Sequence, residues 1–198
     1  NKRIDVFAQP VMRLPQRQPI GFEVYARIRA KAGLYVPAGR YMAMARAEKI
    51  SSDIDALLLR ECLDVMKMQK DNLEKIYFFL NIEPASLKNK KYMSELLAFV
   101  AKNRTLARKI VFEIRYDDYK ALPQSLLQVI NGLTKLGCSF SLDHVDDLDF
   151  NLQSLIQHHV RFIKMKSGWM AEQTRSDSDF THLWRIKNKL ESNGIRVV

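Results

Sequence analysis

The sequence lacks the features that mark several large classes of protein. No run approaches about 18 uninterrupted apolar residues, so we predict no membrane-spanning helix. The opening residues, NKRIDVFAQP, hold neither a start methionine nor the apolar segment of a signal peptide, and we expect a piece of a longer protein. Neither a GxGxxG turn nor a P-loop follows the early strand candidates. That absence argues against the nucleotide-binding folds built on such loops.

Cysteine and acidic residues are also scarce. Cys62 and Cys138 lie far apart in apolar surroundings, so we expect two reduced core thiols on the cytosolic side and no disulfide. Thirty-two Lys and Arg residues outnumber 22 Asp and Glu residues, for a formal net charge of +10. This excess permits an anionic partner. Only KNKK at 88–91 is a dense cluster, however, and no basic stripe alternates with aromatic residues, so we expect no nucleic-acid binding.

What remains is the composition of an ordinary globular chain. Its 198 residues are 47% apolar, which is enough for one well-packed domain over residues 1–198. Apolar runs typical of strands cover residues 6–14, 20–29, 76–82, 109–116, 138–145, 160–166 and 195–198. Apolar residues at helical spacing predict helices over residues 38–49, 52–69, 92–103, 124–136 and 179–192.

The order of these segments predicts an α/β fold. The linker PQRQP between the first two strands is short enough for a hairpin. The later strands alternate with helices and read as continuous apolar runs, which is typical of a parallel sheet covered on both faces. On pattern alone, a doubly wound sheet and a closed barrel both remain open.

A polar residue ends each of five apolar runs. These residues are Glu23, Asn81, Glu113, Asp143 and Lys164. In a barrel the carboxyl ends of the strands converge on one mouth, where catalytic groups usually lie. Each residue alone is typical of a loop or a cap. Three acids, an amide and an ammonium together are suited to Mg²⁺ and a phosphate.

Six motifs in order along the chain resemble the EAL domain, the phosphodiesterase family that opens cyclic di-GMP to a linear dinucleotide. They are FAQPV, FEVYAR, FLNIEPASL, VFEIRY, FSLDHV and VRFIKMK. The resemblance implies a (β/α)8 TIM-like barrel whose first strand is antiparallel to its neighbour. It also implies a last strand, a last helix and a catalytic Glu beyond Val198, so we expect a C-terminally incomplete domain. More loosely, FSLDHV and NRTLARKIVFE resemble the subgroup around the flagellar assembly regulator TipF.

The family resemblance assigns roles to the residues at the strand ends. Active members hold two divalent cations that bind the phosphate and activate a water. By analogy, Glu23, Asn81, Glu113 and Asp143 would be ligands of the first cation. Lys164 would steady the water or the phosphate.

The chain departs from the family pattern at the second cation. His144 stands where a second Asp belongs, Tyr116 replaces a Glu, and Lys166 and Arg161 replace Asp residues. Each added like-charge approach at about 4 Å costs on the order of 4 kcal/mol at an effective dielectric of about 20. We therefore interpret His144 as a lost metal ligand within a vestigial catalytic site. We expect that the protein requires no metal. At most one Mg²⁺ or Mn²⁺ is expected, at Glu23, Asn81, Glu113 and Asp143.

A domain that has lost catalytic activity can still bind the ligand through side chains that need no metal. Gln9 suits a guanine edge or the nearby phosphate, and Arg27 can bind a phosphate with two hydrogen bonds. Glu23 and Asp143 can accept hydrogen bonds from ribose or guanine, and Tyr25 can stack on a base. In the alternative interpretation, Arg27 pairs with a core carboxylate and Tyr25 is ordinary barrel packing.

Three functions follow from these observations. The first is a catalytically inactive cyclic di-GMP receptor that regulates a partner protein, with flagellar assembly or motility as its setting. The second is a protein-interaction scaffold that binds no nucleotide, and the third is a residual phosphodiesterase. We expect a cytoplasmic protein, attached to the inner membrane only through parts outside this chain, and allow for a homodimer. His158 and His159 are expected on the surface.

Overall fold

The computed structural model describes residues 3–13, 17–31, 33–68, 76–147, 149–173 and 177–198. Its strands are β1 Ile4–Arg13, β2 Gln18–Lys31, β3 Leu34–Val36, β4 Tyr77–Asn81, β5 Ile110–Arg115, β6 Ser139–Val145, β7 Val160–Met165 and β8 Arg196–Val197. Its helices are α1 Ala38–Ala47, α2 Ser51–Met68, α3 Pro84–Lys88, α4 Lys90–Lys102, α5 Arg104–Ala107, α6 Tyr116–Lys120, α7 Gln124–Lys135, α8 Leu152–Gln157, α9 Ser167–Gln173 and α10 Asp177–Ser192.

The strands form one mixed sheet that curls into a partial barrel. Its strand order is β1-β2-β4-β5-β6-β7-β8, and β3 pairs antiparallel with the C-terminal part of β2. β1 pairs antiparallel with β2, whereas every pair from β2–β4 to β7–β8 is parallel. Of the two arrangements left open by the sequence pattern, the structure has the barrel-like one, and the predicted antiparallel first strand is confirmed. Within the described residues β1 and β8 are not paired with each other.

Both faces of the sheet are apolar, which explains the continuous apolar runs in the sequence. The larger core lies between the outer face and the helices, and its fully buried members include Leu80, Phe112 and Leu142. A smaller core fills the barrel interior with Val11, Ile20, Phe79, Val111 and Phe162. Successive residues of a strand point to opposite faces, so one strand can supply both cores.

Most of the predicted elements are present, with ends shifted by a few residues. Residue 14 of the first predicted strand and residue 69 of the second predicted helix lie outside the described residues. β3 and the short helices α3, α5, α6, α8 and α9 were not predicted from the sequence. Segments of three to seven residues contain too few positions for an apolar period to emerge.

The two cysteines confirm the expectation of core thiols. Cys62 and Cys138 are free and buried, and burial raises the pKa of each thiol to about 12. The expectation for His158 was wrong, because this side chain is buried. Its Nδ1 lies 2.7 Å from the Tyr119 hydroxyl, and burial lowers its pKa. Among the helices that the structure describes, none is long and apolar enough to cross a membrane.

Candidate functional site

The carboxyl ends of the parallel strands surround a cleft of about 470 Å³, here called the mouth cleft. Eight residues singled out from the sequence line it: Gln9, Glu23, Tyr25, Arg27, Asn81, Glu113, Asp143 and His144. Lys164 contacts two of them from β7. The structure thus brings all nine predicted site residues together at one end of the barrel.

Strand register accounts for this convergence. Gln9 on β1 lies opposite Glu23 on β2, and Asn81 on β4 is in register with Glu113 on β5. Directly opposed residues share a face of the sheet, so each pair points into the barrel. Tyr25 and Arg27 follow Glu23 at intervals of two residues and line the same cleft.

Lys164 lies between two carboxylates at the base of the mouth cleft. Its Nζ donates to Glu23 Oε2 at 2.6 Å and to Glu113 Oε2 at 2.7 Å. Asn81 Nδ2 donates to Glu23 Oε1 at 3.1 Å. The ammonium therefore lies between two of the acids that the family resemblance assigns as ligands of the first cation.

Burial changes the ionisation of this cluster. Burial raises the pKa of Glu113 to about 7, against the opposing effect of the Lys164 charge, and the Glu23 charge raises it further. For Lys164, burial lowers the pKa, but the Glu113 and Glu23 charges outweigh burial and the net shift is upward. Glu113 Oε1 is buried and has no hydrogen-bond partner in the described structure. The cluster thus retains one unused buried acceptor.

Asp143 and His144 form a self-contained pair at the rim. Asp143 Oδ1 accepts from the His144 backbone N–H at 2.8 Å, and Oδ2 lies 2.7 Å from His144 Nδ1. Because a carboxylate only accepts, Nδ1 carries the hydrogen. His144 has a φ of 58°, a left-handed conformation that is uncommon for residues other than glycine. Both oxygens of Asp143 are therefore directed to the residue that follows it.

Of the other positions that depart from the family pattern, Tyr116 and Lys166 form polar contacts with nearby Asp residues, whereas Arg161 stands at the start of β7, at the end of the barrel opposite the mouth cleft. The buried Tyr116 hydroxyl donates to Asp147 Oδ1 at 3.0 Å. Lys166 Nζ lies 3.4 Å from Asp146 Oδ2, and Lys120 Nζ lies 3.4 Å from Asp147 Oδ2. In the part of the chain that the structure describes, no group of three or more His, Cys, Asp and Glu side chains is arranged to hold a metal ion.

Arg27 is available to a ligand. Its guanidinium lies 5.0 Å from the centroid of the Tyr25 ring. Among the described residues Arg27 forms no ion pair, so the alternative that it pairs with a core carboxylate does not hold in this structure. Tyr25 is only partly buried, and its ring stacks on Phe7 with centroids 6.1 Å apart. It is therefore more accessible than ordinary barrel packing requires.

Two aromatic residues beside the mouth cleft were not predicted from the sequence. Phe7 and Tyr35 are each 39% exposed, and their rings meet edge to face at 5.6 Å. Together with Tyr25 they form what we call the aromatic flap. The Tyr35 hydroxyl donates to Asp5 at 2.8 Å, and Arg29 also bonds Asp5 at 2.6 Å, which fixes Tyr35 in place. Phe7 is two residues before Gln9 on the same face of β1, a signal that the sequence did contain.

Asp55 is a second unanticipated feature of the cleft wall. It lies near the start of α2 but is buried, and it accepts from Glu83 N–H at 3.0 Å and from Ser86 Oγ at 2.5 Å. Burial raises its pKa from 3.8 to about 7, although both hydrogen bonds lower it. Arg46 forms two hydrogen bonds with Glu83, and among the described residues no Lys or Arg forms an ion pair with Asp55.

This raised pKa predicts how stability depends on pH. The unfolded chain loses the Asp55 proton near pH 4 and the folded chain near pH 7, so the free energy of unfolding falls across this interval. A shift of about 3 pH units corresponds to about 4 kcal/mol. We expect Asp55→Asn to reduce the loss of stability between pH 4 and pH 8, measured by urea unfolding. Asp53→Asn, on the exposed side of α2, is the control and should retain the wild-type slope. An unchanged slope in Asp55→Asn would contradict the assignment.

Comparisons with known proteins agree with the fold. The EAL domain family model matches residues 1–198. The cyclic di-GMP phosphodiesterase PdeF of Escherichia coli (strain K12) is 20% identical over 191 residues. That match covers 93% of the chain but 25% of PdeF, so the chain spans about a quarter of this relative.

Two solved structures are similar in fold at low identity. PaMucR phosphodiesterase, in a c-di-GMP complex, has a TM-score of 0.82 at 14% identity, covering 99% of the chain and 80% of that structure. The Xanthomonas citri FimX EAL domain, in complex with c-diGMP, has a TM-score of 0.80 at 16% identity, with 98% and 76% coverage.

A third solved structure, Vibrio cholerae LapD S helix-GGDEF-EAL bound to c-di-GMP, has a TM-score of 0.78 at 15% identity. The chain is 98% covered in this match and spans 47% of the LapD chain. At these identities the likeness establishes the architecture of the chain.

Proposed function

Because the chain belongs to the EAL domain family, we propose that it binds cyclic di-GMP without hydrolysing it and uses the bound state to regulate a partner protein. The observation that carries this proposal is the Asp143–His144 pair. His144 stands where the family resemblance places a second Asp, and both oxygens of Asp143 face His144. Arg27, which has no carboxylate partner within the described residues, can still bind a phosphate.

The charge around the cleft argues against two metal ions. Two divalent cations would bring four positive charges to a cleft in which His144, and not a second Asp, follows Asp143. Asp143, the next acid, is engaged by His144. The orphaned Glu113 Oε1 leaves room for one cation at most. We therefore propose that no metal is required, and that a single Mg²⁺ or Mn²⁺, if bound, is held by Glu23, Asn81, Glu113 and Asp143.

The remaining groups match the chemistry of a cyclic dinucleotide. A guanidinium binds a phosphate through charge-assisted hydrogen bonds, which are roughly twice as strong as neutral ones. The aromatic flap offers rings on which a purine can stack, a contact worth about 1–3 kcal/mol per base in single-strand binders. Gln9 supplies an amide close to Glu23, its cross-strand neighbour. Binding in this form uses no metal.

The test is a titration of labelled cyclic di-GMP in EDTA and again in Mg²⁺. The proposal predicts saturable binding of one ligand per chain in both buffers, with similar dissociation constants. Binding that is present only with Mg²⁺ would contradict the metal-free receptor. No binding at tens of micromolar would favour the alternative scaffold, in which the barrel is only a protein-interaction surface.

A residual phosphodiesterase is the remaining alternative, and product analysis tests it. With Mn²⁺ and excess cyclic di-GMP, we expect no linear dinucleotide above the level given by Glu23→Ala. Any reproducible excess over that control would overturn the inactive assignment.

The partner protein, the cellular location and the oligomeric state are also proposals. The loose likeness to TipF suggests a partner in flagellar assembly or motility and a cytoplasmic location. A homodimer fits the same role. Gel filtration of the chain with and without cyclic di-GMP would reveal a dimer and any dependence on the ligand.

A further inference from the structure

A second polar depression lies at the opposite end of the barrel from the mouth cleft. It has a volume of about 240 Å³ and is lined by Tyr77, Arg108, Gly137, Ser139, His159, Arg161 and Phe162. We call it the basal crevice. Tyr77, Ser139 and Arg161 stand at the starts of β4, β6 and β7. The interior residues Phe79, Val111 and Phe162, each no more than 2% exposed, separate the crevice from the mouth cleft.

Two arginines give the basal crevice its charge. Arg108 and Arg161 are both exposed, and within the described residues neither guanidinium pairs with a carboxylate. Lys109 Nζ lies 5.8 Å from the centroid of the Tyr77 ring, which adds a third cation nearby. Guanidinium groups without carboxylate partners are binding sites for oxyanions, because their N–H groups match phosphate oxygens in pairs.

The histidine in the crevice is held by the fold. His159 has a φ of 53°, and its Nδ1 lies 3.0 Å from the Cys138 carbonyl oxygen. Because a carbonyl only accepts, Nδ1 carries a hydrogen. His159 Nε2 is 3.4 Å from Arg161 Nη1, so it accepts from the arginine when neutral. This contact directs part of the Arg161 side chain along the crevice.

Ser139 supplies an independent observation. The residue is only 6% exposed, and among the described residues its side chain forms no hydrogen bond. Its hydroxyl is not one of the fully buried side-chain atoms that lack a partner, so it is accessible to solvent. Because Ser139 lines the crevice together with the two arginines, its hydroxyl is available there as a donor.

We propose that the basal crevice binds a phosphate group carried by a small molecule or a lipid headgroup. Arg108 and Arg161 supply the charge, and Ser139 donates one hydrogen bond. The rings of Tyr77 and Phe162, 5.2 Å apart and edge to face, form an apolar wall for the organic part. The site is independent of the mouth cleft and does not rest on cyclic di-GMP binding.

The test is an NMR titration of the chain with inorganic phosphate, followed through backbone amides. We expect saturable shifts confined to residues 137–139 and 159–161. Arg108→Gln/Arg161→Gln should weaken phosphate binding at least tenfold, and Ser139→Ala should weaken it several-fold. The charge-matched control Arg60→Gln/Arg185→Gln removes two exposed arginines of α2 and α10 and should bind as wild type.

A parallel arm uses vesicles containing phosphatidic acid to separate the two sources of phosphate. Vesicle binding lost in Arg108→Gln/Arg161→Gln but kept in the control would identify a lipid headgroup as the ligand. Phosphate binding without vesicle binding would identify a soluble phosphate compound. Shifts scattered over the surface and equal in both double variants would overturn the site, as would no binding of either probe.

Discussion

Arg27→Ala is expected to weaken cyclic di-GMP binding by about one to two orders of magnitude. A hydrogen bond to a charged group contributes about 1.5–3 kcal/mol, and Arg27, like Arg115, lines the mouth cleft without an ion pair to a described carboxylate. Its guanidinium also lies over the Tyr25 ring, 5.0 Å from the centroid, which is a cation–π contact within the mouth cleft. Isothermal titration in EDTA measures the dissociation constant without any contribution from metal.

The matched control is Arg104→Ala, which removes an exposed arginine from α5, before the opposite end of β5. Its dissociation constant should remain within twofold of wild type, since a change in net charge alone has a small effect. Equal affinity in Arg27→Ala and wild type would show that the ligand is held elsewhere. Equal weakening in both variants would indicate non-specific attraction to a basic protein.

Lys164→Met is expected to lower the free energy of unfolding by about 3–5 kcal/mol at pH 8. The Lys164 side chain is 15% exposed and bonds both Glu23 and Glu113, and the Glu113 side chain is fully buried. Removing one member of a buried ion pair leaves an uncompensated charge, which costs this amount. At pH 5 the loss should be smaller, because Glu113, with a pKa raised to about 7, then carries a proton.

Urea unfolding of wild type and variant at both pH values measures this effect. Lys166→Met is the control, since the Lys166 side chain is 55% exposed and its ion pair with Asp146 spans 3.4 Å. Such a surface pair contributes at most about 1 kcal/mol. Adding Glu113→Gln to Lys164→Met should restore part of the lost stability at pH 8. A Lys164→Met protein as stable as the control at pH 8 would contradict the buried ion pair.

The fold could be predicted from the sequence because its signals are long and local. The runs that end in Asn81, Glu113 and Asp143 are apolar on both faces, which fixes their place in a parallel sheet. The carboxyl ends of parallel strands lie at the same end of the barrel, so residues at these ends are expected to lie close together. This is why all nine predicted site residues lie together.

The residues whose positions could not be predicted depend on contacts between segments that are distant in the sequence. Tyr35 lies on β3, three residues long, and is fixed by Asp5 across 30 positions. Asp55 is of a residue type that is usually exposed, although it lies one turn before the buried Leu58 and Leu59, and the packing of α3 against α2 helps to bury it. His158 ends α8, yet Tyr119 covers it. In each case the deciding partner is specified elsewhere in the chain.

The pairing of Lys164 with two glutamates could also not be deduced from the sequence. The family resemblance placed Lys164 beside a water or a phosphate, whereas in the structure its Nζ joins Glu23 and Glu113, on β2 and β5. These three side chains meet because the sheet curls into a partial barrel, and this curvature could not be deduced from the sequence. This contact converts a set of candidate metal ligands into an ion-pair cluster.

Manganese occupancy tests the central claim most directly. Crystals soaked in Mn²⁺ with cyclic di-GMP and measured by anomalous diffraction would locate every ion in the mouth cleft. The replacement of the second Asp by His144 predicts either no ion or one ion near Glu113 Oε1, with the dinucleotide intact. Two well-occupied ions, one of them held by Asp143 and His144, would contradict it.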